Sequence, residues 1–213
     1  VVRDVSGNQP RADALLHQIG KAGVPNYFGP QRFGRNGSNL LRVDALFRKV
    51  GKKLGREQRG LLLSAARSHL FNQVLAKRVA TGNWCNAVDG DVLLLAGSGR
   101  QFAFDAADTS IPPRVAELDV HPSGPLCGRR SRALQPSGQV AEEEREVLAD
   151  WQPWTAGLER FGLDADRRSL RLAVEELRWR WSPAGLELSF SLTAGAYATA
   201  VLRELVTTQP DDG

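Results

Sequence analysis

Apolar residues in this chain recur at helical spacing through most of its length and at strand spacing near its end. Leu15, Leu16 and Ile19 form a short apolar face that Asp13 can cap and that Gly20, Gly23 and Pro25 end. Leu40, Val43, Phe47 and Val50 share one helix face. Leu61, Leu62, Ala65, Ala66, His69, Leu70, Val74 and Leu75 keep the same period and predict a long helix from Arg56 to Val79. Glu142–Trp151 also reads as a helix, and Gly195 opens a last one over Tyr197–Val206. Leu93–Leu95 and Phe102–Phe104 read as short strands about a Gly-Ser-Gly turn. Leu170–Trp181 and Leu186–Leu192, joined by Ser-Pro-Ala-Gly, read as a hairpin, with Val1–Val5 alternating like the end of another strand. Residues 121–138, rich in Pro, Gly, Ser and Arg, read as a loop, and the tail after Gln209 as a frayed end. The mixture implies an α+β fold.

Composition narrows the class. The chain has 213 residues, 42% hydrophobic and 24% charged, enough for one large soluble domain or two small ones. No apolar run is long enough to span a bilayer and no signal segment opens the chain, so a cytoplasmic protein with no membrane partner is expected. Cys85 and Cys127 have neither metal spacing nor the pattern of a disulfide scaffold. His17, His69 and His121 share no ligand spacing, so no metal is expected, and His69 falls on the apolar side of its helix. Methionine is absent even at position 1, which places the expected start of the natural chain further upstream.

The net charge of +4 conceals an asymmetry. Residues 1–80 carry 15 Lys and Arg against 4 Asp and Glu, whereas residues 81–213 carry 13 against 20. A basic first part suits a polyanion, or forms a solvated face balanced by an acidic one. Its run includes Arg32, Arg35, Lys49, Lys52, Lys53 and Arg56, with the two central lysines flanked by glycines that let a loop approach phosphates. Between Gly23 and Gly34, three aromatics (Tyr27, Phe28 and Phe33) surround Asn26, Gln31 and Arg32. These aromatics either plug a core or line a cleft, and the two amides either brace the loop or reach a ligand. Trp179 and Trp181 alternate along a strand and suit sheet-face packing or base stacking. Arg203 and Glu204 suit a surface or inter-strand ion pair better than a catalytic role.

Taken as a string, Gly23-Val-Pro-Asn-Tyr-Phe-Gly-Pro-Gln-Arg-Phe-Gly34 resembles the signature of the TruD family of tRNA pseudouridine synthases. Later segments agree in order: Leu63–Gln73 is similar to the family's long helix, Val88–Asp91 with Leu93–Gly97 to its next strand and turn, Arg167–Leu170 to the entry into its return strands, and Gly195–Leu205 to its C-terminal signature. Several ordered motifs are far more specific than one glycine pattern.

The resemblance implies an α+β fold: a split pseudouridine-synthase catalytic domain whose C-terminal part is present, interrupted by a mostly helical TRUD insertion domain. On that reading residues 1–21 end the first catalytic segment, 22–171 form the insertion domain and 172–213 return to the catalytic sheet. It implies isomerisation of uridine-13 in the D arm of tRNA, without metal or organic cofactor, by a monomer acting through base flipping and an aspartate that opens the glycosidic bond. The family carries that aspartate in Gly-x-Lys-Asp, followed by Asn-x-Phe. None of the 13 aspartates here stands in that context, so the nucleophile is expected upstream of Val1, no residue of this chain is catalytic and the chain alone is expected to be inactive. Tyr197 falls where the family has Phe, which implies stacking on the flipped uracil and a hydroxyl in need of a partner. Arg32, Arg35, Lys49, Lys52, Lys53 and Arg56 become contacts to tRNA phosphates, and Asn26, Tyr27, Phe28, Gln31 and Phe33 become a cleft loop. A second class stays open: a non-catalytic RNA-binding module that keeps the insertion domain. An apolar sheet edge is expected where further strands of the catalytic domain would join.

Overall fold

Pro10 lacks an N–H and Asn8 stands two residues before it, so the first helix begins at Asn8 rather than at Asp13. In the computed structural model, which describes residues 1–3, 5–49 and 54–206, α1 runs Gln9–Ala22 and Asn8 Oδ1 accepts a hydrogen bond from the Arg11 amide at 2.9 Å. Asp13, the expected cap, lies inside the helix and accepts from the indole N–H groups of Trp179 and Trp181 at 2.8 and 2.9 Å. That bond was invisible in local sequence because it spans 166 residues. Gly23 ends the helix with φ +71°, and a Cβ there would stand 2.4 Å from the Leu172 carbonyl oxygen. The chain therefore turns tightly into β1, Val24–Pro25.

Two helices follow, α2 (Ser38–Phe47) and α3 (Arg56–Ala80). Val50, expected on the face of α2, lies outside the described residues. α3 is about 38 Å long at 1.5 Å per residue and serves as the spine. Its Leu62, Leu63, Ala66 and Leu70 pack with Val43, Phe47, Trp154 and Leu158, while Phe71 and Leu75 meet Leu170 from another side. The sequence-based boundaries of this helix agree to one residue.

Beyond it come β2 (Val92–Leu95), β3 (Gln101–Ala103), α4 (Ile111–Ala116), β4 (Val120–Leu126), α5 (Gly138–Ala149), α6 (Gln152–Arg160) and β5 (Asp166–Ser169). The strands make an antiparallel sheet in the order β3-β2-β4-β5. Residues 120–126 thus form a buried strand where a loop was expected. Its prolines are accommodated because each half of β4 pairs along one side only: residues 120–122 with β2, residues 123–126 with β5. A strand bonded on one side can place the missing proline N–H away from its partner.

The last elements are β6 (Arg171–Leu172), paired with β1, then the hairpin β7 (Glu175–Ser182) and β8 (Gly185–Ser191), then α7 (Ala198–Leu205). Val2 bridges Leu186 on β8. Trp179, Trp181, Leu186 and Leu188 fall on one face of the hairpin and Arg178, Arg180, Glu187 and Ser189 on the other. Leu177 and Phe190 join Ile19 of α1 and Val201 of α7 in one apolar cluster. Among the described residues β7 pairs only with β8, and β8 otherwise only with Val2, so the hairpin keeps an open margin. The large exposed hydrophobics among the described residues are Val1, Leu41, Leu61 and Leu134, none of them on the hairpin.

Buried charges tie these layers together. Arg78 on α3 donates from both terminal nitrogens to Asp91 at 2.9 Å, and that carboxylate is wholly buried before β2. Arg167 on β5 pairs with Glu144 of α5 at 2.5 Å. Arg171 donates to the carbonyls of Val115 and Val120 at 2.8 and 2.9 Å and to His121 Nδ1 at 3.1 Å. Burial, then the Arg171 charge, holds His121 down to about 4, so it is neutral in the fold.

That last contact predicts a pH dependence. An unfolded chain protonates His121 below about pH 6.5 while the fold resists until about pH 4, so stability falls as pH drops through this window. The loss from His121 alone should reach about 2 kcal/mol by pH 5. His121→Asn, which keeps an acceptor for Arg171, should flatten urea-midpoint measurements between pH 6.5 and 5; an unchanged slope would contradict the assignment.

Candidate functional site

Loops rich in glycine leave backbone groups that side chains must satisfy. In the loop after β1, Asn72 of α3 does so, accepting from the Phe28 amide and donating to the Phe28 carbonyl, both at 3.0 Å. Asn26 is buried; its amide nitrogen donates to the Ser169 carbonyl at 2.8 Å and its Oδ1 accepts from Arg168 at 2.7 Å. Gly29 lies so close to α7 that a Cβ would stand 2.8 Å from Thr199 Oγ1 and 2.5 Å from the exposed Gln31 side chain. The loop is thereby pinned on α3, on β5 and on the first turn of α7.

Tyr197 immediately precedes α7 and is half-buried. Its hydroxyl accepts a hydrogen bond from Arg32 at 2.5 Å, and the other terminal nitrogen of Arg32 donates to Ser64 Oγ at 3.1 Å. The hydroxyl that the sequence left needing a partner thus has one. The Phe28 ring meets Phe71 edge-on at 5.6 Å and Tyr197 at 6.3 Å. The Arg168 guanidinium stands 4.2 Å from the centre of Phe28 and that of Arg32 5.7 Å from it. Burial lowers Arg168 to about 10; Tyr197 opposes the shift and Arg32 adds to it.

Loop and returning segment therefore converge on one cluster: Asn26, Phe28, Arg32 and Tyr197 from among the expected residues, with Arg168 and Asn72 added. Tyr27 sits beside it, its ring under the Arg203 guanidinium at 4.3 Å and its phenol raised by burial against the pull of Arg203. Arg203 makes this contact in place of the expected pair with Glu204. Phe33 points elsewhere and meets His69 at 6.1 Å. His69 packs against Trp151 and Trp154 at 4.5 and 5.4 Å, the core-type role expected of it. Arg35, Lys49 and Arg56 are exposed and form no hydrogen bond to the cluster, and Lys52 and Lys53 lie outside the described residues. Trp179 and Trp181 bond to α1 and serve sheet packing.

The sequence reading places Arg167–Leu170 at the entry into the return strands and assigns Arg168 no role of its own. The available signal was the place of Arg167 and Arg168 at the start of a strand, where neighbouring side chains take opposite faces. One goes to Glu144, the other to the loop. Among the described residues no group of three or more His, Cys, Asp or Glu is disposed to hold a metal ion. No described helix is long and apolar enough to cross a membrane.

A family model described as tRNA pseudouridine synthase D (TruD) matches the chain over residues 1–48 and 38–205. The tRNA pseudouridine synthase D of Nitrosococcus oceani is 48% identical over 210 residues, covering 98% of this chain and 58% of the relative. That of Hydrogenovibrio crunogenus is 42% identical over 213 residues, covering 100% and 61%. The chain thus spans about six-tenths of the length of the curated relatives it matches. A crystal structure described as a TruD protein of Methanosarcina mazei superposes with a TM-score of 0.73 at 19% identity, over 96% of this chain and 67% of that one, a likeness of fold.

Removing the Asn26 amide leaves the Arg168 donor and the Ser169 carbonyl without these partners. Asn26→Ala should therefore cost about 1–3 kcal/mol of stability. Thermal melting checks this, and an unchanged midpoint would mean that Asn26 does not brace the loop.

Proposed function

Because the chain belongs to the tRNA pseudouridine synthase D family, we propose that the protein carrying it converts uridine-13 in the D arm of tRNA to pseudouridine. In this reading the present residues supply one wall of the base pocket and much of the RNA-docking surface. The aspartate that opens the glycosidic bond, by attack on C1′ or by acting on the sugar, comes from upstream of Val1. The reaction breaks the bond between N1 of uracil and C1′ of the ribose, turns the detached base, and joins C5 to C1′. C5 then loses its proton and N1 is left carrying one, so atoms balance without an external reactant.

Chemistry at C1′ requires the nucleotide out of its stack. An extruded base needs an aromatic surface and a site that keeps water away. Tyr197, steered by Arg32 and flanked by Phe28, is the proposed stacking residue. Arg32, Arg35, Lys49, Lys52, Lys53 and Arg56 are the proposed phosphate contacts, in the half of the chain where basic residues outnumber acidic ones 15 to 4. The observation that carries the reading is the meeting of two segments 165 residues apart, Arg32 of the glycine-aromatic loop and Tyr197 before α7. Both belong to the stretches that resemble the family's signatures.

In the intact protein, Tyr197→Phe should keep most turnover, and Tyr197→Ala should lose tenfold or more, about 1.4 kcal/mol, with tRNA affinity little changed. Tritium release from C5-labelled tRNA measures this. Equal damage from both substitutions, or none from Tyr197→Ala, would remove the stacking role.

A second prediction concerns the exposed basic residues. Replacing Arg35, Lys49 and Arg56 together by Ala should weaken binding of all tRNAs alike and reduce the slope of log affinity against log salt by about 2–3. An unaltered slope would take this face out of the interface.

A further inference from the structure

Three arginines are fully buried among the described residues, and each has its charge or its terminal donors matched. Arg78 has Asp91, Arg167 has Glu144, and Arg171 has two backbone carbonyls and a neutral imidazole. Arg32 and Arg168 are different. Both stand against one phenyl ring, Phe28, and their hydrogen-bond partners are neutral: Ser64 and Tyr197 for Arg32, Asn26 for Arg168. Neither forms an ion pair among the described residues. The Nε–H of each is buried and has no acceptor, which is also true of Arg67 and Arg78, so the contrast lies in the missing counter-charge.

Two cations held near each other in a partly desolvated, aromatic setting repel and lose hydration. The neighbouring side chains fix them in place without cancelling their charge. Such an arrangement is matched by an anion with at least two equivalent oxygens, one for each guanidinium. We infer that Arg32 and Arg168 together clamp a single RNA phosphodiester in the cleft between the loop 26–33 and the start of α7. The clamp rests on the proposed action on tRNA and deepens it: the exposed basic residues give affinity spread over the backbone, whereas this pair fixes one phosphate beside the base that Tyr197 receives. Arg168 is then a binding residue, and Asn26 positions it through Oδ1. Phe28 stands against both guanidiniums, 4.2 Å from that of Arg168 and 5.7 Å from that of Arg32.

The test is a scan of D-arm RNA hairpins, each carrying one neutral methylphosphonate, against the intact protein and its Arg168→Gln and Arg168→Lys variants. With the unaltered protein, one linkage should stand out with a loss of affinity of about tenfold or more. In Arg168→Gln the affinity of the unmodified hairpin should fall by a similar factor, and the penalty at that linkage should shrink toward the background level. Arg168→Lys should fall between, keeping the charge and losing the fork. A uniform penalty across all linkages in the unaltered protein would overturn the clamp, even if Arg168→Gln failed to fold. Retention of the singular penalty in a folded Arg168→Gln would overturn it as well. So would a loss of turnover in Arg168→Gln with affinity unchanged at every linkage, the mark of a carboxylate from the same protein as the true occupant. Failure of the tRNA reading itself looks different: the unaltered protein would not bind the unmodified hairpin at all.

Discussion

A guanidinium taken out of water keeps its charge and its five donors, and the fold must answer both. The segment from Arg167 to Arg171 faces that constraint three times in succession, and most of the architecture is arranged around the three answers. Arg167 turns toward α5 and finds Glu144, fastening helix to sheet. Arg171 turns toward β4 and finds backbone carbonyls and His121, closing the sheet against the turn after α4. Arg168 turns the other way and finds an amide and an aromatic ring in the loop that follows β1. Without the loop that third side chain would have no seat. Without Arg168, Asn26 would lose the contact that directs its Oδ1.

The same segment explains why residues far apart in sequence share one cluster. β5 and β6 run directly into the hairpin and α7, so the strand that orients Arg168 is continuous with the element that presents Tyr197. The loop is held to α3 by Asn72 and Ser64 and to α7 by Arg32. The apolar cluster shared by the loop and α3 and the one under α7 thus meet at a polar seam. A seam of this kind can hold a ligand in a fixed orientation, because its polar groups are positioned before the ligand arrives.

Local pattern reached some of this. α3 was legible because its apolar period persists over many turns, and the hairpin because Ser-Pro-Ala-Gly separates two strand-like runs. β4 was not, since its prolines read as loop until its one-sided pairing is known. The cap of α1 misled because Trp179 and Trp181 claim Asp13 from across the fold. At the site, the loop and Tyr197 could be picked out by resemblance, yet the bond between Arg32 and Tyr197 could not, and Arg168 was hidden beside Arg167. Which face a strand residue takes is local information, whereas what waits on that face is not. α1 and α7 cover the hairpin's apolar face, while among the described residues the outer margin of β7 stays unpaired.

The central claim is that the loop and the start of α7 form one RNA-binding seam. Hydrogen exchange of the intact protein with and without tRNA tests it most directly. Amides of residues 26–33 and of 196–200 should slow together when tRNA is added, and both should lose that protection in Arg168→Gln. Exchange at both segments that is the same with and without tRNA, while the protein remains bound, would contradict the account.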